Sequence, residues 1–244
     1  RKADRTFRDL GMLPCEELTD ERSAWTWQTK QGLDSGTLFI GHLDVPASEG
    51  IPTQMFRKEA EWLYGEGIGS SRAPLVMLEF ALRALRSVRR LRGQALGVML
   101  YTDEGRDARY SAEVIRAAAA KDDRVLVLRP GPVGESIVTR RRGQRKYRFR
   151  AEGDPRRPGQ AGKTKKPEVL RGTWNQLDAL CRLSAKSRRV SISALGLEVT
   201  SLPMLLPHHT DASVLRAYPH TATADEIEKA MNDSIAKGGP RWDL

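Results

Sequence analysis

The sequence has few cysteines, few aromatic residues and no long hydrophobic run. Its two cysteines, Cys15 and Cys181, cannot form a disulfide framework and have no partner at zinc-finger spacing, so a reducing, cytoplasmic location is expected. No apolar run approaches the roughly 18 residues that a membrane helix needs, so no membrane-spanning segment is expected. No signal-peptide pattern follows Arg1, and we expect the true amino terminus to lie upstream.

The composition is that of a globular protein with an uneven charge distribution. Of the 244 residues, 39% are hydrophobic and 30% are charged, which fits one or two domains. The formal net charge is +10, and residues 134–189 carry this whole excess. Within them the basic segment, residues 140–166, could attract nucleic acid, an acidic protein or an anionic substrate. A solvated edge strand explains the same charges, and the sparse aromatic residues nearby favour that interpretation.

Three short apolar runs predict buried strands in the first half of the chain: Thr37–Gly41, Ala95–Thr102 and Arg124–Leu128. Apolar stripes at helical spacing predict helices between them, at about Ala73–Arg92 and Ser111–Ala120. Alternating strands and helices are typical of a mostly parallel sheet covered by helices. The expected fold class of this part is therefore α/β.

Beyond Gly134 the pattern changes to an α+β order. The predicted strands and helices, in chain order, are Ile137–Arg150, Thr173–Leu183, Val190–Val199, Ala212–Ala217 and Asp225–Ile235. This βαββα order fits an open-faced sandwich with two helices on one side of an antiparallel sheet. We therefore expect an incomplete α/β domain over residues 1–142, a second domain over 143–236 and a return linker over 237–244.

Polar residues follow each of the three strands of the first domain, where sheet enzymes hold their chemistry. His42 and Asp44 follow the first strand, and such a carboxylate can orient an imidazole whose other nitrogen binds a metal. Alone, the pair is more often a hydrogen-bonded loop histidine. Asp103 and Glu104 follow the second strand, where they could also cap the next helix, and Arg129 follows the third.

Further motifs carry a resemblance to a known family. Residues 56–72 read FRKEAEWLYGEGIGSSR, residues 153–159 read GDPRRPG, and Arg216 closes a strand soon after Pro207. With the three strand-end loops, this order resembles the di-zinc family of aminoacylases, glutamate carboxypeptidases, acetylornithine deacetylases and succinyl-diaminopimelate desuccinylases. The resemblance covers nearly the whole chain, as a degenerate, internal section of the fold. It implies a zinc-binding α/β domain with an inserted α+β lid domain through which the family dimerises.

The resemblance also assigns roles to residues of the first domain. His42 matches the first zinc-binding histidine, Asp44 its orienting carboxylate and Glu104 the general base. Three family ligands are replaced. Ser70 stands at the position of the bridging aspartate and Gly105 at that of a metal-binding glutamate. Arg129 stands at the position of the acid after the third strand.

In the second domain the resemblance concerns substrate contacts. Arg157 stands at the lid histidine that stabilises the reacting carbonyl, and about Met204 at the lid asparagine. Arg216 matches the arginine that grips a substrate carboxylate. The last histidine ligand of the family would lie beyond Leu244.

The replacements argue against a dinuclear zinc centre and against any resident cofactor. Such a centre needs several anionic or nitrogen ligands and a shared carboxylate. Ser70 is a poor ligand, Gly105 has no side chain, and Arg129 brings a permanent positive charge. We hypothesise that Arg129 occupies the vacated cation position and forms a bidentate ion pair with Asp44 or Glu104. Without a metal to lower it, the pKa of water lies far above the range in which a carboxylate such as Glu104 can deprotonate it.

Three functional hypotheses remain open. The first is a metal-free relative that binds an amino-acid-like or peptide-like small molecule. In another form of this hypothesis it forms a homodimer through the lid and supports a partner protein or a fused domain that makes or breaks amide bonds. The second is an active zinc-dependent carboxypeptidase or deacylase that uses ligands outside this chain. The third is a binder of nucleic acid or of an acidic protein through the basic segment.

Overall fold

The protein divides into two compact units, residues 1–136 and 137–244. The computed structural model describes residues 2–16, 22–45, 55–131, 134, 136–160, 168–185, 189–235 and 241–243. The unit boundary, after Ser136, lies a little earlier than the boundary expected at Arg142–Gly143. Lys163, Lys165 and Lys166 of the basic segment lie outside the described residues.

Unit 1 is a mixed sheet with helices on both faces. Its helices are α1 Lys2–Asp9, α2 Ala73–Ser87 and α3 Ala112–Ala119. Its strands are β1 Leu13–Pro14, β2 Ala24–Gln28, β3 Thr37–His42, β4 Arg57–Glu59, β5 Trp62–Tyr64, β6 Leu96–Tyr101 and β7 Arg124–Val127.

The main sheet of unit 1 has the strand order β1-β2-β6-β3-β7. β3 runs parallel to both β6 and β7, which confirms the predicted α/β arrangement of these three strands. β2 runs antiparallel to β6, so the sheet is mixed rather than wholly parallel. A separate hairpin joins β4 and β5.

Two layers of core cover the central strands, because side chains along a strand alternate between its faces. Val98 and Leu100 of β6 pack with Leu78 and Leu82 of α2 on one face. Met99 packs on the other face, against the side that α3 covers. β7 lies at the sheet edge, and all four of its residues are exposed.

The first five elements of unit 2 have the predicted βαββα order, and a further short strand follows them. Its elements are β8 Gly143–Glu152, α4 Val169–Arg182, β9 Ser191–Thr200, β10 His209–Tyr218, α5 Thr221–Ile235 and β11 Arg241–Asp243. The sheet is antiparallel with the order β11-β8-β10-β9. Side chains of both helices, including Leu177, Leu180, Ile227 and Met231, form one core with Phe149 and Val214 of the sheet.

Two details of unit 2 correct the sequence analysis. Residues 241–243, assigned to a return linker, pair with Arg150–Glu152 because their backbone extends the open edge of β8. The extended segment expected from Ile137 becomes a strand only at Gly143, where pairing with Tyr218 of β10 begins.

No helix within the described ranges is long and apolar enough to cross a membrane.

Candidate functional site

The topology of unit 1 brings three strand-end loops to one edge of the sheet. The parallel register pairs His42 of β3 with Tyr101 of β6, and Ile40 of β3 with Val127 of β7. The loops that follow these strands carry Asp44, Glu104 and Arg129. Hydrogen bonds between the loops join these residues into one cluster, hereafter the strand-end cluster.

His42 is fixed by the loop in which it lies. Its side chain is buried, and its Nδ1 is 2.9 Å from the main-chain oxygen of Asp44. Because a carbonyl oxygen only accepts, Nδ1 carries a hydrogen, and in the neutral imidazole Nε2 then has a free lone pair. This Nε2 is buried and has no hydrogen-bond partner in the described part of the protein. The Asp44 carboxylate lies farther away, 3.5 Å from Nδ1, so the main chain rather than the carboxylate orients the ring.

Asp44 links the first loop to the second. Its Oδ2 accepts a hydrogen bond of 2.8 Å from the main-chain N–H of Gly105. Its Oδ1 is buried, lies 3.5 Å from Nδ1 of His42 and has no hydrogen-bond partner among the described residues. The strand-end cluster therefore contains two unsatisfied acceptors, one on His42 and one on Asp44.

Both carboxylate oxygens of Glu104 are occupied. Arg129 donates from Nη2 to Oε1, and Tyr101 donates from its hydroxyl to Oε2. Burial, together with the hydrogen bond to Glu104 and its negative charge, raises the pKa of Tyr101 well above its usual value. The Tyr101 hydroxyl therefore stays protonated and donates throughout the ordinary pH range.

Tyr101 is a site residue that sequence reasoning missed. It lies near the end of the apolar run that forms β6, where the pattern alone indicates only a buried strand residue. A polar aromatic residue three positions before Glu104, at a strand end, was the available signal.

The described residues of the strand-end cluster offer few free donor atoms to a metal ion. Among the residues that the structure describes, no group of three or more His, Cys, Asp or Glu side chains could hold a metal ion. His42 and Asp44 offer one free acceptor each, but the second carboxylate of the cluster, that of Glu104, is bound to a guanidinium. Ser70 is exposed in the π-helical turn Ile68–Arg72 and takes no part in the hydrogen bonds of the cluster.

Asp103 holds the residues that lead into the next helix, rather than capping its first turn as the sequence suggested. Its carboxylate accepts hydrogen bonds from the Ser111 hydroxyl at 2.6 Å and from the Tyr110 and Ser111 N–H groups at 2.6 and 3.0 Å, just before α3. Burial alone would raise the pKa of Asp103, but these hydrogen bonds lower it below its usual value. Glu104 is not a cap, because its carboxylate faces Arg129 instead.

In unit 2, Arg216 contacts residues of its own unit. Its side chain is 0% exposed, and Nη2 donates to Glu228 Oε2 at 3.2 Å. The guanidinium carbon lies 4.9 Å from the centre of the Tyr147 ring and 5.5 Å from that of Tyr218. The carboxylate that Arg216 grips in this arrangement is therefore that of Glu228.

Arg157 and Met204 lie on neighbouring loops of unit 2. The N–H of Leu206 donates to the Arg156 carbonyl at 2.7 Å and joins the two loops. Arg157 is exposed, and Met204 is 85% exposed with a left-handed φ of 64°. Both side chains are therefore accessible within unit 2.

Comparison with solved structures identifies the fold. Human carnosine dipeptidase 1 is 14% identical with a TM-score of 0.67, and the match covers 99% of this chain and 69% of that one. A tripeptidase from Staphylococcus aureus is 9% identical with a TM-score of 0.72, covering 99% and 67% of the two chains. A metallo-carboxypeptidase from Sulfolobus solfataricus is 14% identical with a TM-score of 0.66, covering 99% and 71%.

This chain has the fold of the metallopeptidases. The predicted resemblance is thereby confirmed at the level of the fold, and the chain spans about two-thirds of the length of these structures. No protein-family model and no curated protein matches the sequence. The parallel register of β3 with β6 and β7 puts the strand-end cluster at the edge of the sheet where these strands end.

Proposed function

We propose that this chain is a metallopeptidase-like module that has lost the dinuclear zinc centre and binds an amino-acid-like or peptide-like small molecule without hydrolysing it. The observation that carries the proposal is the ion pair between Arg129 and Glu104. By resemblance these are the positions of a metal ligand and of the general base.

The first argument concerns charge. A zinc ion beside Arg129 would meet a permanent positive charge, and repulsion between two cations grows as solvent is excluded. The negative charge of Glu104 is already matched by that guanidinium. Arg129 thus replaces part of the charge that a metal would supply, and it keeps the acid in place.

The second argument concerns the base. A glutamate general base needs a free oxygen next to a water whose pKa a metal has lowered to about 7. Glu104 has both oxygens hydrogen-bonded, to Arg129 and to Tyr101. Peptide or amide hydrolysis by the mechanism that the resemblance implies is therefore not expected.

The third argument concerns the ligand. The buried Nε2 of His42 and Oδ1 of Asp44 are acceptors without partners, and buried polar atoms without partners are costly. An ammonium or amide N–H group would satisfy them. Arg129, whose side chain is 39% exposed, retains donors for a carboxylate. The acceptors suit the ammonium group of an amino acid, and the guanidinium suits its carboxylate.

Zinc analysis of the purified chain tests this proposal. After dialysis against zinc, we expect well under one zinc ion per chain and no cleavage of N-acyl amino acids or dipeptides. Stoichiometric zinc, together with cleavage that a chelator abolishes, would overturn the proposal.

A variant that restores the replaced acids sharpens the test. We expect S70D/G105E/R129E to take up more zinc than the wild type, because the resemblance makes these three positions the acidic ligands of the family's zinc site. The matched control S87D/G93E/R92E makes the same three changes at exposed positions near the opposite end of β6 and should not gain zinc. Equal uptake by the two variants would contradict the assignment of the ligand positions.

One observation favours a second candidate, an active zinc-dependent hydrolase that completes its site with ligands outside this chain. The free lone pair of His42 Nε2 is the group that a zinc ion binds. Substituting Arg129 distinguishes the two candidates, because hydrolysis at a working zinc site would not need that guanidinium, whereas ligand binding in the first proposal does. Association through unit 2, as a homodimer or with a partner or fused domain, also remains a prediction.

A further inference from the structure

Unit 2 contains an open cavity whose lining is strongly basic. Its volume is about 530 Å³, and it is lined by Arg140, Arg141, Arg142, Arg189, Pro219 and His220, among others. Three of these arginines begin the basic segment, but Arg189, Pro219 and His220 come from distant parts of the sequence. Folding therefore concentrates charge here beyond what the segment itself contains.

The arginines of this cavity differ from those of β8. Arg145 pairs with Glu228 at 2.6 Å, and Arg148 pairs with Asp211 at 2.6 Å. Within the described ranges, the four cavity arginines have neither a carboxylate partner nor a side-chain hydrogen bond. Four like charges around one cavity repel one another, and a bound anion would relieve that repulsion.

A helix terminus adds to the positive potential. Pro219 and His220 directly precede α5, a helix of 15 residues. The first N–H groups of a helix lack partners within it, and its dipole is positive at that end. The first turn of α5 has no acidic residue to offset this charge.

We propose that this cavity binds a small molecule with two or more phosphoryl groups. Guanidinium groups donate in pairs to phosphate oxygens, and four of them match several anionic oxygens better than a single carboxylate. The volume lies in the range of small-molecule sites, about 300–1,000 Å³. None of its described lining residues is Phe, Tyr or Trp, so the cavity lacks the stacking surface that single-stranded nucleic acid uses.

Calorimetric titration of the full chain with inorganic tripolyphosphate tests the proposal. We expect saturable binding at one site per chain, tighter than binding of inorganic phosphate and weaker at high salt. R142Q/R189Q should weaken tripolyphosphate binding by about tenfold or more, because each lost guanidinium removes charge-assisted hydrogen bonds. Glutamine keeps the β-carbon of Arg189, whose φ of 53° is left-handed, so the backbone preference changes little.

A matched control variant and a titration with nucleic acid complete the test of this proposal. R171Q/R182Q removes the same charge from exposed positions of α4 and should leave tripolyphosphate binding unchanged. Equal weakening by both variants, or no saturable binding by the wild type, would overturn the proposal. Tighter binding of a single-stranded oligonucleotide than of tripolyphosphate would also overturn it, in favour of a nucleic-acid surface. The zinc content that tests the proposed function is independent of all these results.

Discussion

The two units each hold an arginine against a glutamate, but the two ion pairs differ in burial. The Arg129 side chain is 39% exposed, whereas that of Arg216 is 0% exposed. An ion pair open to water contributes little to stability, because water solvates either partner alone. Removing the partner of a buried charge is costly, because the remaining charge has no solvent. The same chemical pair is therefore structural in unit 2 and open to functional use in unit 1.

The surroundings of the two pairs reinforce this difference. Glu228 accepts from Tyr147, from Arg145 and from Arg216, and these hydrogen bonds lower the pKa of Glu228 below its usual value. The rings of Tyr147 and Tyr218 enclose the buried guanidinium. Within the described residues, however, Arg216 Nε is buried without a hydrogen-bond partner, as are Nε2 of His42 and Oδ1 of Asp44 beside the pair in unit 1. The difference between the two pairs therefore lies in the several partners of Glu228 and in the exposure of Arg129.

The largest effect is expected from Glu228→Ala in unit 2. It leaves Arg216 buried without a carboxylate and should lower the free energy of unfolding of unit 2 by about 2 kcal/mol, less than for a fully buried pair because Glu228 is partly exposed. Hydrogen-exchange mass spectrometry of peptides from β10 and α5 measures this loss without interference from unit 1.

Arg216→Met is the control for this prediction. It removes the buried charge and fills the space, so the expected change is under about 1 kcal/mol in either direction. Glu228 keeps Arg145 and Tyr147 as partners in this variant. If Arg216→Met destabilises unit 2 as much as Glu228→Ala, the unpaired charge is not the cause.

A medium effect is expected from Asp103→Asn in unit 1. The aspartate is buried and holds the start of α3, so we expect a loss of about 1 kcal/mol in unfolding free energy at neutral pH. The pKa of Asp103 is lowered by folding, so its charge stabilises the folded state above its usual pKa of 3.8, and this contribution is lost as the pH falls below that value.

The pH dependence separates charge from packing in that variant. The difference between wild type and Asp103→Asn, followed by hydrogen exchange of α3 peptides, should be full at neutral pH and should shrink on acidification below about pH 3.8. A difference that stays constant at acidic pH would mean that the charge of Asp103 contributes nothing.

Local sequence patterns were sufficient to predict the strands that position the strand-end cluster. The apolar runs at Thr37–Gly41 and Ala95–Thr102 match β3 and β6 closely, because both strands are covered on two faces. β2, with the sequence AWTWQ, was missed because it is a half-buried strand beside polar turns. β11 was missed because three residues carry no periodicity, and only pairing with β8 makes them a strand.

Some features of the candidate site could likewise be predicted from the sequence, and others depend on the tertiary fold. Loops that follow neighbouring parallel strands meet at one edge of the sheet, so the proximity of Asp44, Glu104 and Arg129 follows once β3 is paired between β6 and β7. The burial of Arg216 could not be predicted, because it depends on α5 packing across β10 and bringing Glu228 to it. The basic cavity likewise needs Arg189 and His220, which only the tertiary fold brings to Arg140–Arg142.

The smallest effect is expected from Arg129→Gln. Its ion pair is exposed, and Glu104 keeps its hydrogen bond from Tyr101, so unit 1 should lose only about 0.5 kcal/mol of unfolding free energy. Hydrogen exchange of β6 and β7 peptides measures it. Arg83→Gln, which breaks an exposed ion pair with Glu79 on α2, is a matched control and should cost the same. A loss as large as that of Glu228→Ala would abolish the contrast between the units, because Arg129 would then be a structural residue rather than a cation that a ligand can use.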